Sequence, residues 1–224
     1  MAKDKFIQPV AVFRSPLTSK FGIPRQSGVA SGLRGQIVMQ APYNHPDALR
    51  GLEGFDYLWL IWEFSANDSR SASLTVRPPR LGGNKRMGVF ATRSPFRPNG
   101  LGLSCVRIER VEQGVIHVLG ADLMDGTPIY DIKPYIPYAD AHPEARGGFT
   151  DPAEWQLLQV DFPDALRNLF APDEQQTLIE LLSQDPRPRY HDDPQRIYGM
   201  PFAGRDVRFR VADGILTVVQ VEPA

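Results

Sequence analysis

Cysteine pairs, long apolar runs and a signal segment are absent from this sequence. Cys105 is the only cysteine among 224 residues, so neither an intrachain disulfide nor a cysteine-built zinc site is possible. No apolar run approaches the roughly 18 residues that span a bilayer. The first residues lack the apolar core and small-residue cleavage site of a signal peptide. These absences predict a cytoplasmic protein and argue against a membrane partner.

The motifs of several common enzyme classes are missing as well. No Gly-x-Gly-x-x-Gly opens a strand-to-helix turn and no Walker-type loop occurs, which argues against a Rossmann dinucleotide site and a P-loop. The nucleophile elbow of the α/β-hydrolases is not found. The four histidines lie far apart in the sequence, without the spacing of metal ligands. We therefore expect no bound metal.

Charge is unevenly distributed in a chain whose net charge is only −1. Hydrophobic residues make up 42 % and charged residues 23 %, as in an ordinary globular protein with a buried core. Residues 70–107 contain no acidic residue, whereas residues 140–193 are acid-rich. The first of these segments carries eight cations: Arg70, Arg77, Arg80, Lys85, Arg86, Arg93, Arg97 and Arg107. Such a local basic stripe predicts an anionic partner, and solvated arginines on a loop are the alternative.

Short strands dominate the first two thirds of the chain. Strand patterns cover residues 6–13, 36–39, 57–62, 88–92, 101–109, 115–119 and 127–136. The residues between 109 and 115 indicate a hairpin. The 21 prolines disfavour long helices there. We predict a mainly β protein whose N-terminal domain, residues 1–142, is a sandwich or a barrel.

A smaller domain is expected to follow. Residues 139–152 are rich in Asp, Ala, Gly and Pro, as in a linker. Beyond them, residues 155–162 suggest a strand and residues 172–183 a helix, with proline at its start and acidic residues in its first turn. Alternating residues around Asp213-Gly214 indicate a hairpin. Residues 143–224 are therefore predicted to form a small α+β domain.

Residues 77–102 are the most unusual segment. Prolines and glycines fix the path of a loop, and arginines on such a loop bind phosphates or carboxylates through paired hydrogen bonds. We interpret the segment as a binding loop, with an irregular loop as the alternative. A second segment, residues 122–135, places Asp131, Lys133 and Tyr135 on one face of a strand. That face is either a polar active-site wall or an edge ion pair of little energetic consequence. A third segment, residues 21–28, carries Arg25 and Gln26 and is a weak signal alone.

Together these segments resemble the TsaA-like family, and within it the bacterial tRNA methyltransferase O group. The resemblance covers roughly residues 5–140, and residues 184–188 with the final hairpin resemble the tail of the longer bacterial members. Gly100 departs from some members, which have proline there; the change loosens a turn but removes no functional group. The matching segments are residues 24–26, 50–53, 77–84, 88–94, 96–99, 125–128 and 131–135.

The resemblance implies a homodimeric single-sheet β-barrel that binds S-adenosylmethionine. It also implies N6-methylation of threonylcarbamoyl-adenosine next to the tRNA anticodon. The expected donor pocket comprises Arg25, Gln26, Ser27, Ser65, Ala66, Arg93, Leu103, Asp122, Leu123, Met124 and Asp125.

Asp131, or else Tyr135, is our candidate general base, with Lys133 on the same catalytic face. The residues expected to bind tRNA are Arg77, Arg80, Arg86, Arg97 and Lys133. Arginines of the small domain either grip the tRNA arm or are structural: Arg187, Arg189, Arg208 and Arg210. The alternative function is a non-enzymatic module that binds S-adenosylmethionine or another nucleoside. A plain RNA-binding barrel is weaker, because no RRM-type aromatic signature is present.

Overall fold

A computed structural model describes residues 6–67, 73–78, 85–151, 156–187 and 193–224. The elements of its N-terminal part are, in chain order, β1 (Ala11–Arg14), β2 (Arg34–Met39), α1 (Pro46–Leu49), β3 (Tyr57–Glu63), β4 (Thr75–Val76), β5 (Met87–Gly88), β6 (Leu101–Glu112), β7 (Val115–Leu119), β8 (Pro128–Pro134) and α2 (Pro137–Asp140).

Six of these strands close into a single antiparallel barrel in the order β1-β2-β7-β6-β3-β8. Alternate residues of β3 point inward, so that Leu58, Leu60 and Trp62 are buried while Tyr57 is exposed. Phe13, Ile116 and other apolar residues fill the rest of the interior. The mainly β class and the single-sheet barrel are therefore confirmed.

Most predicted strands are present, and one is wrong. The hairpin between β6 and β7 turns at residues 113–114, as predicted. The first strand begins at Ala11 rather than at residue 6. Residues 88–92 were expected to be a strand, but Val89–Ala91 form a 3₁₀ turn. The backbone amide and the hydroxyl of Thr92 both donate to the Val89 carbonyl, at 3.1 and 2.9 Å, and thereby close that turn.

The C-terminal part is a four-stranded sheet with one main helix. Its elements are β9 (Gln159–Asp161), α3 (Asp164–Arg167), α4 (Pro172–Ser183), β10 (Tyr198–Phe202), β11 (Arg205–Ala212) and β12 (Ile215–Pro223). The sheet order is β10-β11-β12-β9, with β9 parallel to β12. The predicted helix and final hairpin are confirmed, whereas the strand predicted over 155–162 shortens to β9, and residue 155 lies outside the described residues.

The loop between β1 and β2 connects the two parts. Leu17, Ala30 and Leu33 belong to this loop, yet they are buried in the C-terminal core with α4 and the second sheet. Arg25 Nη2 also donates to the Asp185 carbonyl at 3.2 Å. Residues 23–27 are therefore held between the barrel and the C-terminal part. The domain boundary at residues 142 and 143 stays a prediction.

Candidate functional site

A cleft of about 750 Å³ opens where β3 and β6 meet the loops of the barrel. We call it the first cleft; its walls are residues 23–26, 61–67 and 101–103, residues between 90 and 99, and the side chains of Lys20, Asp122, Met124 and Thr127. Its volume falls within the range of sites for ligands of nucleoside size. Elements far apart in sequence thus converge on one concave surface.

A chain of buried polar groups ends at the Asp122 carboxyl. Trp62 Nε1 donates to Ser104 Oγ at 2.9 Å, and Ser104 Oγ donates to Asp122 Oδ1. Burial raises the pKa of the Asp122 carboxyl above its ordinary value, although the bond from Ser104 and the charge of Arg93 act against this shift. An oriented carboxyl with reduced access to water suits a cationic or hydroxyl-bearing ligand.

Gly102 makes the position of Trp62 possible. A Cβ atom at residue 102 would lie 2.4 Å from Cε2 of the Trp62 ring, well inside van der Waals contact. Only a residue without a side chain lets the indole lie across β6 and reach Ser104. The glycine therefore shapes one wall of the first cleft.

Two loops meet at the rim of the first cleft through Arg93 and Gln26. Arg93 Nη1 donates to Gln26 Oε1. The Gln26 loop is fastened to the barrel because the Cys105 amide donates to Ser27 Oγ at 3.2 Å. This arrangement gives the guanidinium a defined position next to Asp122.

A second cleft, of about 1250 Å³, adjoins the first. The two clefts share the wall formed by Arg25, Gln26, Phe90, Thr92, Arg93 and Pro95. The far side of the second cleft includes Arg77, Arg86 and Phe96. None of the described residues that line it is acidic. The first cleft, in contrast, includes both Asp122 and Glu63.

Eight of the eleven residues predicted for the donor pocket line the first cleft: Arg25, Gln26, Ser65, Ala66, Arg93, Leu103, Asp122 and Met124. The other three do not. Ser27 anchors its loop to β6, and Leu123 is fully buried in the barrel core. Asp125 turns away to accept from the Ser15 amide at 3.1 Å and to pair with Arg14 at 3.5 Å.

The predicted tRNA-binding residues are distributed over several places. Arg77 and Arg86 line the second cleft. Arg97 lines the first cleft, but its Nη1 donates to the Thr92 carbonyl at 3.0 Å and so supports the loop. Lys133 lies on the outside of the barrel. Arg80 is outside the described residues, as is Arg70.

The predicted catalytic residues share the outer face of β8 and its end. Asp131 Oδ2 lies 3.2 Å from Lys133 Nζ, with 49 % of the Asp131 side chain and 64 % of the Lys133 side chain exposed. The Tyr135 ring packs against Tyr57 and Trp59. None of the three is among the described residues that line the two clefts. Asp131 is paired across the sheet with Ile61, which does line the first cleft.

The sequence analysis missed the pair formed by Glu63 and Tyr130. Glu63 lines the first cleft, and its carboxylate accepts a hydrogen bond from the Tyr130 hydroxyl. This hydrogen bond raises the pKa of Tyr130 to about 12. The signal was the position of Glu63, a lone charge at the end of an apolar strand. The hydrogen bond between Glu63 and Tyr130 could not be predicted, because it depends on the pairing of β3 with β8.

Two of the C-terminal arginines are already paired within their own domain. Arg187 lies 2.8 Å from Asp185, and Arg208 lies 3.1 Å from both Asp206 and Glu222. Arg189 is outside the described residues, and Arg210 is exposed. These pairs favour a structural role for Arg187 and Arg208.

Neither a metal cluster nor a membrane-spanning helix is found in the described ranges. No three His, Cys, Asp or Glu side chains there are grouped so that they could hold a metal ion. Every helix in those ranges is too short or too polar to cross a membrane.

Comparison with known proteins gives concordant matches over both parts of the chain. The family models that match are the tRNA-methyltransferase O N-terminal domain, over residues 12–141, and the TrmO C-terminal domain, over residues 155–224. The chain is 42 % identical over 235 residues to the tRNA (adenine(37)-N6)-methyltransferase of Escherichia coli, which covers 100 % of both proteins.

A second relative is the putative S-adenosylmethionine-dependent methyltransferase RcsF of Pseudomonas aeruginosa. It is 42 % identical over 211 residues, which is 91 % of each protein. Among solved structures, a crystal structure of TrmO from P. aeruginosa superimposes with a TM-score of 0.81 at 33 % identity. The match covers 100 % of this chain and 99 % of that one.

Proposed function

We propose, since this chain belongs to the tRNA-methyltransferase O family, that its substrate is threonylcarbamoyl-adenosine next to the tRNA anticodon. As a member of that family the chain is a tRNA (adenine-N6)-methyltransferase that uses S-adenosylmethionine. The proposal adds the modified adenosine, the residues that act on it, and the assembly.

The observation that carries the proposal is that Asp122 and Arg93 line the same cleft, with the charge of Arg93 acting on the Asp122 carboxyl. The methyl donor has an amino group and a carboxylate at one end, ribose hydroxyls and an adenine at the other, and a sulfonium cation between them. Arg93, held by Gln26, suits the carboxylate. Asp122 suits the cation or the hydroxyls, and Leu103, 54 % exposed, offers an apolar surface for the adenine. The residues present therefore fit the donor.

When bound, S-adenosylmethionine supplies a methyl carbon that N6 takes while the carbon–sulfur bond breaks and a neutral thioether leaves. The chain contributes mainly by holding the reacting groups in line. The substrate N6 is urea-like and a weak nucleophile, so removal of its proton should assist the transfer.

We assign the proton acceptor to Asp131, with Lys133 fixing its carboxylate and Tyr135 beside them. Support comes from the cross-strand position of Asp131 next to Ile61, a wall residue of the first cleft. Glu63 is the competing carboxylate because it lines the cleft itself. Asp131→Asn and Glu63→Gln should therefore be compared. A general base variant loses kcat by roughly 10²- to 10⁴-fold, with the dissociation constant of S-adenosylmethionine unchanged. Loss of kcat in Glu63→Gln alone would remove Asp131 from this role.

The anticodon loop is single-stranded, so its base can be splayed into a pocket without opening a duplex. We propose that Arg77, Arg80, Arg86, Arg97 and Lys133 bind the tRNA, with affinity that falls steeply with salt. We further propose a cytoplasmic homodimer, since tRNA is the substrate and the family resemblance implies a dimer. Analytical ultracentrifugation tests the dimer.

The decisive experiment is transfer of a labelled methyl group to tRNA that carries or lacks the threonylcarbamoyl group. We expect transfer to the modified tRNA only. Equal labelling of both tRNAs would refute the proposed substrate. A rise in melting temperature with S-adenosylmethionine but no transfer to either tRNA would instead indicate a binding module without this activity.

A further inference from the structure

We propose that the second cleft receives the acceptor nucleotide, and that Arg77 and Arg86 there bind an oxyanion carried by it. This rests on the proposed function and deepens it, because it separates the acceptor from the donor and names the recognising groups. The oxyanion is either the carboxylate of the threonylcarbamoyl group or a phosphate of the anticodon loop.

The charged residues that line the two clefts differ, as expected if one cleft binds the donor and the other binds the acceptor. Two carboxylates, Asp122 and Glu63, lie among four cations in the walls of the first cleft, which suits a ligand that carries charges of both signs; the cations are Lys20, Arg25, Arg93 and Arg97. The second cleft has four arginines in its walls and no acidic residue among the described residues that line it. A donor that carries both a sulfonium and a carboxylate thus suits the first cleft, and an anionic acceptor suits the second.

The two cations on the far wall of the second cleft are available to a ligand. Arg77 and Arg86 form no ion pair or hydrogen bond with any residue in the described part of the chain. Arg97, by contrast, is engaged with the Thr92 carbonyl. Both free guanidinium groups are exposed in a concave wall, where bidentate binding of a carboxylate or phosphate is favourable.

Exposed aromatic rings supply a surface for the base. Phe90 is 76 % exposed and lines both clefts, and Phe96 is 45 % exposed and lines the second. Pockets that bind small ligands are lined mainly by hydrophobic and aromatic side chains. A splayed nucleobase stacks on such rings independently of its sequence context.

The wall between the clefts allows the two ligands to meet. Arg93 and Gln26 form part of that wall and are hydrogen-bonded to each other. A base on Phe90, which belongs to that wall, would hold N6 close to the wall, while the anionic substituent attached at N6 extends to Arg77 and Arg86. The same pair that orients the donor would then also limit how far the acceptor enters.

The test is direct binding of RNA, which needs no methyl transfer. Fluorescence anisotropy is measured with two anticodon stem-loops, one with threonylcarbamoyl-adenosine and one with plain adenosine. The variants are Arg77→Ala, Arg86→Ala and Phe90→Ala. Arg107→Ala is the matched control, because Arg107 lies four positions beyond Leu103 on β6, about 13 Å from the nearest cleft residue of that strand.

Loss of one charge-assisted contact should weaken binding of the modified stem-loop roughly 10- to 100-fold. If the carboxylate is bound, Arg86→Ala and Arg77→Ala lose affinity for the modified RNA only. If a phosphate is bound, the affinities of both RNAs fall by the same factor, and the slope of log K against log salt concentration decreases by about one per arginine.

Wild-type affinity of both arginine variants for both RNAs would overturn the inference. Retained binding of S-adenosylmethionine, measured by calorimetry, shows that the variants are folded. Absence of methyl transfer with intact, Arg86-dependent RNA binding would count against the proposed function but not against this cleft.

Discussion

Arg93 donates a hydrogen bond to Gln26 across 67 residues of sequence, and this contact joins the two loops that bound the first cleft. The charge of the guanidinium partly offsets the rise that burial causes in the pKa of the Asp122 carboxyl. A cation oriented in this way is the group we expect to bind the carboxylate of the methyl donor.

Arg93→Ala should therefore weaken binding of S-adenosylmethionine by roughly 10- to 100-fold, as expected for loss of a charge-assisted bond. Gln26→Ala should weaken it less, because the guanidinium stays but is no longer oriented. Isothermal titration calorimetry measures both. Arg107→Ala is the control with unchanged affinity, and full affinity in Arg93→Ala would exclude that residue from the donor site.

Asp122→Asn should abolish a pH dependence of donor binding. Burial raises the pKa of the Asp122 carboxyl in the folded protein. A bound cation favours the ionised form, so affinity for S-adenosylmethionine should fall as the pH is lowered through that raised pKa and should be constant above it. The variant should bind weakly at every pH. It should not be less stable without ligand, since the buried charge is what disfavours the fold. Thermal melts with and without ligand across a series of pH values test this, and a variant that retains the wild-type pH profile would contradict it.

The fold was more predictable from sequence than the site. The alternating apolar residues of β3 and the proline and acidic residues at the start of α4 are local signals, and both elements were found as expected. The 3₁₀ turn at Val89–Ala91 was missed because an apolar run before a threonine has the pattern of a strand. The hydrogen bond from the Thr92 hydroxyl to the Val89 carbonyl, which closes the turn, is visible only in the structure.

The geometry of the site depends on pairings that no local pattern encodes. Asp122 was selected from its segment, but its orientation depends on Ser104 and Trp62, 18 and 60 residues earlier. Glu63 was missed because its partner Tyr130 lies on a strand that becomes its neighbour only when the barrel closes. The second cleft could not be predicted because it depends on the positions of the loops. Glycines and prolines indicate that a loop is constrained, but they do not give its position in the fold.

Gly102→Ala should damage both stability and donor binding. The new methyl group would lie 2.4 Å from the Trp62 ring, so that the indole must move and its bond to Ser104 must lengthen. Overpacking of this kind costs about 1–3 kcal/mol of unfolding free energy. Gly54→Ala is the matched control, because a Cβ there meets nothing within 4 Å. Urea denaturation compares the two, and equal midpoints would show that Trp62 can shift without cost.

Tyr130→Phe should remove a contribution to stability that is present at neutral pH and lost at alkaline pH. The hydrogen bond to Glu63 raises the pKa of Tyr130 to about 12 in the folded protein, from an ordinary value of 10.0. The folded state therefore holds the proton more tightly. This contribution to stability is complete below pH 10 and is lost as the pH rises towards 12. The phenylalanine variant should be less stable at neutral pH and should lack that part of the decline, as followed by urea midpoints from pH 8 upwards. A parallel decline in both proteins would mean that Tyr130 and Glu63 are not coupled.

Leu33→Ala tests whether the barrel and the C-terminal sheet unfold together. Leu33 belongs to the loop that leads into β2, but its side chain is 2 % exposed and packed in the C-terminal core. Truncation of a buried leucine costs about 2–5 kcal/mol. Because Leu17 and Ala30 of the same loop are buried there too, the C-terminal core cannot open without releasing the chain that carries Gln26. We therefore expect one calorimetric transition at a lower temperature and weaker donor binding near that temperature.

Leu157→Ala is the control, because its position is 58 % exposed, and its unfolding free energy should stay within about 0.5 kcal/mol of wild type. Two separate transitions, only one of which moves in Leu33→Ala, would show that the barrel keeps its site without the C-terminal core.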